Sequence, residues 1–299
     1  MKMELSTFNY LKNIHSEEVT ILNDKQLKQI QQISLEILDD VVAVCTQYNL
    51  RYFLGGGSAL GALRHKGFIP WDDDIDINMP RADYERFVQV FTQKYSAKYA
   101  LQTPQNTANY ALSFAKVRKR ETVMRGRDDL CLDECGVGLD IFIIENTFNN
   151  PFLRIGHGVM ALALGFLLSA RKFYRDRRYW IRFMRHLEHF NSAICLKIGI
   201  GFLISFVSVD WLCRLTDRWH GICKDDESKW VCGCAGRLHY FGELYLRDEF
   251  CVTRTELFEG RILNVPIESE KYLTHCYGDW KQIPADEKKE KHMILEFKI

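Results

Sequence analysis

The stretch Gly55-Gly56-Gly57-Ser58-Ala59-Leu60-Gly61-Ala62-Leu63-Arg64-His65-Lys66-Gly67-Phe68-Ile69-Pro70-Trp71-Asp72-Asp73-Asp74-Ile75-Asp76-Ile77 carries two local patterns. Asp74-Ile75-Asp76-Ile77-Asn78-Met79 alternates polar and apolar residues, the period of a strand with one face in a core. Side chains at i and i+2 share a face, so Asp74 and Asp76 point the same way and Asp72 joins them at the strand entrance. Upstream, Arg51-Tyr52-Phe53-Leu54 reads as a short strand that the three glycines break, and residues 58–63 resume as a helix. Glycines let backbone N–H groups approach an anion closely, and a helix N-terminus adds a favourable dipole.

Like charges on one face repel unless a cation sits between them. Oxygen ligands without cysteine or histidine favour Mg²⁺ or Mn²⁺. A lone Asp-x-Asp is most often an acidic turn, but here the order is strand, Gly-Gly-Ser, helix, then a carboxylate pair on the next strand. A phosphate cradle beside a metal site is what phosphoryl or nucleotidyl transfer requires. Asp140, in Gly138-Leu139-Asp140-Ile141-Phe142, is an acid inside an otherwise apolar strand and needs a partner there. Facing Asp74 and Asp76, it would serve as a metal ligand or as the general base for an acceptor hydroxyl. Arg64 and Lys116 are the bases chosen to hold a diphosphate and stabilise its departing half, with His65 equally suited to a structural role. The expected site is therefore Asp74, Asp76, Asp140 and Arg64 for catalysis, Gly56, Gly57, Ser58 and Lys116 for phosphate binding, and Asp72, Asp74, Asp76 and Asp140 for metal.

Working outward, residues 24–48 form a helix, capped by Asn23 or Asp24, in which Leu27, Ile30, Ser34, Ile37, Leu38, Val41 and Cys45 recur at three- and four-residue steps. Residues 81–95 form another, and strands are expected at 111–117 and 138–144. The expected fold class is α+β: a mixed sheet flanked by helices, with a helical, hydrophobic and basic insertion. The expected organisation is a catalytic core over 1–150, the insertion over 151–250, and a part over 251–299 that packs back on the core and includes a solvated run at 286–291.

In the middle, two apolar runs at 158–170 and 198–209 flank a basic and aromatic segment at 171–182. Each run is shorter than the ~20 residues a spanning helix needs. Two readings stay open: core helices, or an interfacial hairpin giving a peripheral contact with the inner face of a membrane.

The 299 residues are 47% apolar and 26% charged, enough for a sizeable core without staples and incompatible with a disordered or collagen-like chain. Forty Lys and Arg against 39 Asp and Glu give a net charge of +1, so no global attraction to nucleic acid is expected. Met1-Lys2-Met3-Glu4-Leu5-Ser6 lacks the apolar region of a secretory leader. The ten cysteines are expected to be reduced thiols in a cytoplasmic protein, since Cys131/Cys135 and Cys232/Cys234 lack zinc-ribbon spacing.

The motif from Gly56 to Asp76 resembles the signature of the LicD family of phosphotransferases, which includes the fukutin-related proteins. Arg81-Ala82-Asp83-Tyr84 and Asp140-Ile141-Phe142 resemble further family segments, as do Tyr272-Leu273, Tyr277-Gly278-Asp279-Trp280, Pro284 and His292 near the end. Two departures stand out. Ser58 replaces the threonine common in the family, and Ile143-Ile144-Glu145 replaces a proline and second aspartate, which leaves Glu145 without a role.

The resemblance implies a nucleotidyltransferase-type fold and metal-dependent transfer of phosphocholine, or a similar phospho-alcohol, from a CDP-linked donor such as CDP-choline to a sugar hydroxyl. The acceptor would be a cell-surface glycan, lipopolysaccharide among them, or its lipid-linked precursor, and CMP would leave. Choline requires an aromatic or acidic pocket, for which Trp71, Tyr110, Trp230 and Trp280 are the candidates. The rival readings are a metal-dependent Asp-x-Asp glycosyltransferase and a non-catalytic membrane-surface protein.

Overall fold

The computed structural model describes residues 19–186, 191–285, 289 and 292–299; the start of the chain and most of the charged run at 286–291 lie outside the described residues. Helix α1 (Asp24–Tyr48) begins at a capping box. The Asn23 side chain accepts from the backbone of Gln26, and the Gln26 side chain accepts from the backbone of Asn23. It ends at Asn49, whose left-handed backbone returns its N–H to the last turn. Ile30, Ile37, Leu38, Val41 and Val44 form the buried stripe.

The chain then lays down β1 (Phe53–Leu54), α2 (Gly56–His65), β2 (Asp76–Pro80), α3 (Arg81–Tyr95), β3 (Tyr99–Gln102), β4 (Ala115–Lys119), β5 (Val123–Gly126) and β6 (Gly138–Thr147). The main sheet runs β1-β2-β6-β4-β3, with β2 and β6 parallel and the other pairs antiparallel. The mixed sheet with flanking helices bears out the α+β expectation. The strand expected at 111–117 starts later, at Ala115, and the one at 138–144 runs on to Thr147. The core joins α1 to both sheet and C-terminal residues, with Phe53, Phe87, Phe91, Phe258, Val265 and Leu273 in one cluster. Full burial of each such side chain is worth about 1.5–3 kcal/mol.

Helices α4 (Pro151–Arg175), α5 (Arg177–His186), α6 (Ser192–Leu203) and α7 (Val209–His220) follow. The length argument applied to the first apolar run fails. That run lies inside a helix of 25 residues, long and apolar enough to cross a membrane, because the flanking residues 151–157 and 171–175 continue the same helix. One face of α4 is nevertheless packed against protein. His157 Nε2 meets the Trp219 carbonyl at 2.9 Å, and its Nδ1 lies 3.3 Å from Thr147 Oγ1 on β6.

The segment between residues 150 and 250 is not wholly helical. Strand β7 (Trp230–Cys232) pairs with the end of β6 and with β8 (Leu244–Leu246), on either side of the short α8 (His239–Gly242). After α9 (Arg247–Phe250) come the hairpin β9 (Thr253–Phe258) and β10 (Arg261–Pro266), helix α10 (Ser269–Tyr277), and β11 (Ile294–Lys298), which pairs with β5.

Candidate active site

The site is a row across three strands. β2 places Asp76 directly opposite Asp140 on parallel β6, and β4 places Lys116 opposite Asp140 from the other side. Lys116 Nζ lies 2.6 Å from each Asp140 carboxylate oxygen. Asp74, two residues before β2 begins, completes the group: one carboxylate oxygen each from Asp74, Asp76 and Asp140 lies within 4.8 Å of the others. Burial, then the repulsion of Asp74 and Asp140, pushes the Asp76 carboxyl well above the usual range. Asp74 is raised in the same sense, first by burial and then by Asp73 and Asp140, with His292 opposing. Three half-buried or buried oxygen donors, mutually repelling and only partly offset by Lys116 and His292, suit a hard divalent cation. Asp72 is pushed up by burial and by Asp74, but it stands outside that close triad. Among the described residues, no group able to hold a metal contains cysteine, and all the cysteines are free thiols.

The glycine turn packs directly against the site carboxylates. Gly56 takes φ +45°, and a Cβ there would sit 2.6 Å from Asp76 Oδ2; at Gly57 it would sit 2.8 Å from Asp72 Oδ2. The Gly56 N–H donates to the Tyr272 hydroxyl at 2.9 Å, and the Ser58 hydroxyl accepts from the Asp76 N–H at 2.9 Å. Gly56 and Gly57 thus clear space for two site carboxylates at the N-terminus of α2, where the helix dipole favours negative charge. Ser58 struts the start of β2.

Arg64 is held by the C-terminal segment. Its Nη1 donates to the Trp280 and Gln282 carbonyls at 2.6 and 3.2 Å, and its Nε to His65 at 2.9 Å. These bonds make it a clasp for the C-terminal segment rather than a partner of the acids. Glu145 gains a structural role: Arg81 bonds both its carboxylate oxygens and also reaches Asp217 Oδ1 at 2.9 Å, tying β6 and α3 to α7.

Several neighbours of the site escaped sequence reasoning. His292 Nδ1 pairs with Asp73 at 2.6 Å while its Nε2 lies 3.8 Å from Asp74 Oδ2, and Asp73 with Asp74 holds its pKa well above the ordinary value. The only sequence signal for His292 was its place in the family's closing segment. Phe142, on the same face of β6 as Asp140, stacks on Phe114 at 4.7 Å, and Lys116 Nζ lies 5.2 Å from the Phe114 ring centre. Of the aromatic candidates, Tyr110 is fully buried and bonds the Phe114 carbonyl, Trp280 is buried with its indole N–H on Thr274, and Trp230 lies under the Arg154 guanidinium. Trp71, beside Asp72, is half-buried and has Lys289 Nζ 4.4 Å from its ring centre.

Residues 49–126 match the family model described as LicD/FKTN/FKRP, nucleotidyltransferase domain. This span holds the glycine turn, Asp72, Asp74, Asp76 and Lys116, while Asp140 lies beyond it. The chain is 30% identical over 282 residues to the lipopolysaccharide cholinephosphotransferase LicD of Haemophilus influenzae, covering 90% of this chain and 97% of that protein. It is 28% identical to an uncharacterized protein of Rickettsia prowazekii over 45% of this chain and 44% of that one. It is 51% identical to the human ribitol 5-phosphate transferase FKRP over 39 residues, 13% of this chain and 8% of that protein.

Proposed function

The chain belongs to the LicD family, and from that membership we propose that it transfers a phospho-alcohol, phosphocholine first among them, from a CDP-linked donor to a sugar hydroxyl of a surface glycan, releasing CMP. The observation that carries this reading is the in-register row Asp76–Asp140–Lys116 with Asp74 beside it. The lipopolysaccharide cholinephosphotransferase and the ribitol 5-phosphate transferase among its relatives support the phosphotransfer class and a glycan acceptor.

Asp74, Asp76 and Asp140 would hold Mg²⁺ or Mn²⁺, with Asp72 standing beside the triad. The cation would supply charge neutralisation at the donor diphosphate. Lys116, half-buried against Asp140, adds positive charge beside the same carboxylates and stabilises negative charge developing on a departing CMP. Asp140 would accept the proton of the incoming hydroxyl at whichever carboxylate oxygen Lys116 releases. Trp71 offers the aromatic face for a quaternary ammonium, since a primary ammonium already rests on it. Positioning and electrostatics supply most of the acceleration in such transfers.

The test incubates the full chain with CDP-choline, CDP-ribitol or CDP-glycerol plus Mg²⁺ and crude glycan, and follows CMP. Glycan-dependent CMP release with one donor is the expected result. No release from any of them, with sugar transfer from a UDP-sugar instead, would overturn the proposal in favour of a glycosyltransferase.

A further inference from the structure

The first four turns of α4 expose an apolar face that no described residue covers. Phe152 is 82% exposed, and Ile155 and Val159 follow it at helical spacing on the same side. Farther along that side lies Ala170, against which α6 packs so closely that a Cβ on Gly201 would fall 2.2 Å from the Ala170 carbonyl oxygen. The tip of α6 and the turn after it therefore prolong the same surface, with Phe202 against Tyr174 at 5.8 Å between ring centres, Leu203 71% exposed and Phe206 86% exposed. Single exposed apolar residues need no explanation, but an apolar strip shared by two helices does.

Charge distinguishes among the occupants this strip could take. Residues 146–209 hold nine Lys and Arg against two acids, Asp176 and Glu188, while the whole chain holds 40 against 39, so everything outside this segment is net acidic. Asp176 is buried and paired with Arg175. On α5, Arg178, Arg182 and Arg185 are exposed at helical spacing while Trp180, Phe183 and Met184 are buried. At the α6 end of the strip the Arg177 guanidinium lies 4.2 Å from the centre of the Tyr174 ring that meets Phe202; an apolar strip in such a cationic segment matches an anionic bilayer, whose hydrocarbon takes the rings and whose headgroups take the arginines. A second copy of this segment would bring like charges together.

We propose that the outward face of α4 and the tip of α6 dock the protein on an anionic lipid surface, with α4 lying in the interface rather than crossing it. Crossing would pull His157 from Thr147 and the Trp219 carbonyl and strand those buried groups. Docking does not depend on the transfer reaction and is read without substrate. At the basic end of α4, buried Lys172 pairs with Asp128 and holds that carboxyl down, with a smaller contribution from Lys116.

The experiment sediments the full chain with vesicles of phosphatidylcholine alone or mixed with phosphatidylglycerol. Binding is expected to be at least ten-fold tighter to the anionic vesicles, weaker in high salt, and reduced ten-fold or more in Phe202→Glu/Phe206→Glu, whose circular dichroism and Tm should match the parent. Alkaline carbonate should release the parent from the vesicles. Absence of vesicle binding, equal binding by the variant, retention in carbonate, or a stable dimer that the variant dissolves in place of vesicle binding would each overturn the proposal.

Discussion

Lys116 Nζ lies 2.6 Å from both carboxylate oxygens of Asp140, the acid flanked on its other side by Asp76. Asp140 is thus the member of the triad with a lysine as its built-in counter-charge. Lys116→Met should leave a buried carboxylate without its partner, lowering Tm in metal-free buffer. Mn²⁺ should restore more of the Tm in this variant than in the parent, while turnover stays low. A thermal melt with and without Mn²⁺ checks this.

Asp76→Asn and Asp140→Asn each remove one donor of the proposed cation site. Turnover should fall about 10³-fold or more. For Asp76→Asn, Tm without metal should not fall, because the substitution relieves repulsion by Asp74 and Asp140. Mg²⁺ should raise the parent's Tm and leave that of Asp76→Asn unchanged. CMP release and melts with and without EDTA read both effects.

Gly56→Ala meets two obstacles, a left-handed backbone at φ +45° and the Asp76 carboxylate 2.6 Å from the new Cβ. The backbone alone costs about 1–2 kcal/mol, and the displaced Asp76 should abolish turnover. Gly165→Ala, in helix α4 with nothing within 4 Å of its Cβ, should instead stabilise by about 0.5–1 kcal/mol. Chemical denaturation of both variants makes the comparison.

Arg81 holds Glu145 and Asp217 in a buried cluster that joins the sheet to α7. Arg81→Met should cost about 3–5 kcal/mol by leaving two buried acids unpaired. Arg81→Met/Glu145→Gln should recover part of that loss. Urea melts of the single and double variants test the coupling.

Glu243 is packed against Gly233 and Gly236, and burial pushes its pKa up to about 7 from 4.5. The folded state therefore binds the proton more tightly than the unfolded chain does. Its favourable contribution is complete below pH 4.5 and is lost as the pH rises through 7, on the order of 3 kcal/mol. Glu243→Gln should flatten the stability profile between pH 5 and 8. Tm measured across that range checks the slope.

The sequence alone determined what local backbone geometry determines. The stripe of α1 follows from a 3.6-residue period, whereas the strand read from Asp74 begins only at Asp76, so the approach of Asp74 to Asp76 is set by the loop that leads into β2. Asp140 was legible because an acid in an apolar strand has to have a partner. Only the tertiary structure decided which partners met: the register that sets Asp140 between Asp76 and Lys116, the carboxylates that require Gly56 and Gly57, the turn of Arg64 toward the Trp280 carbonyl, and the pairing of His292 with Asp73. These contacts join residues far apart in the chain. Their geometry is set by how strands pair and where the C-terminal segment packs, and no spacing within a single segment encodes either.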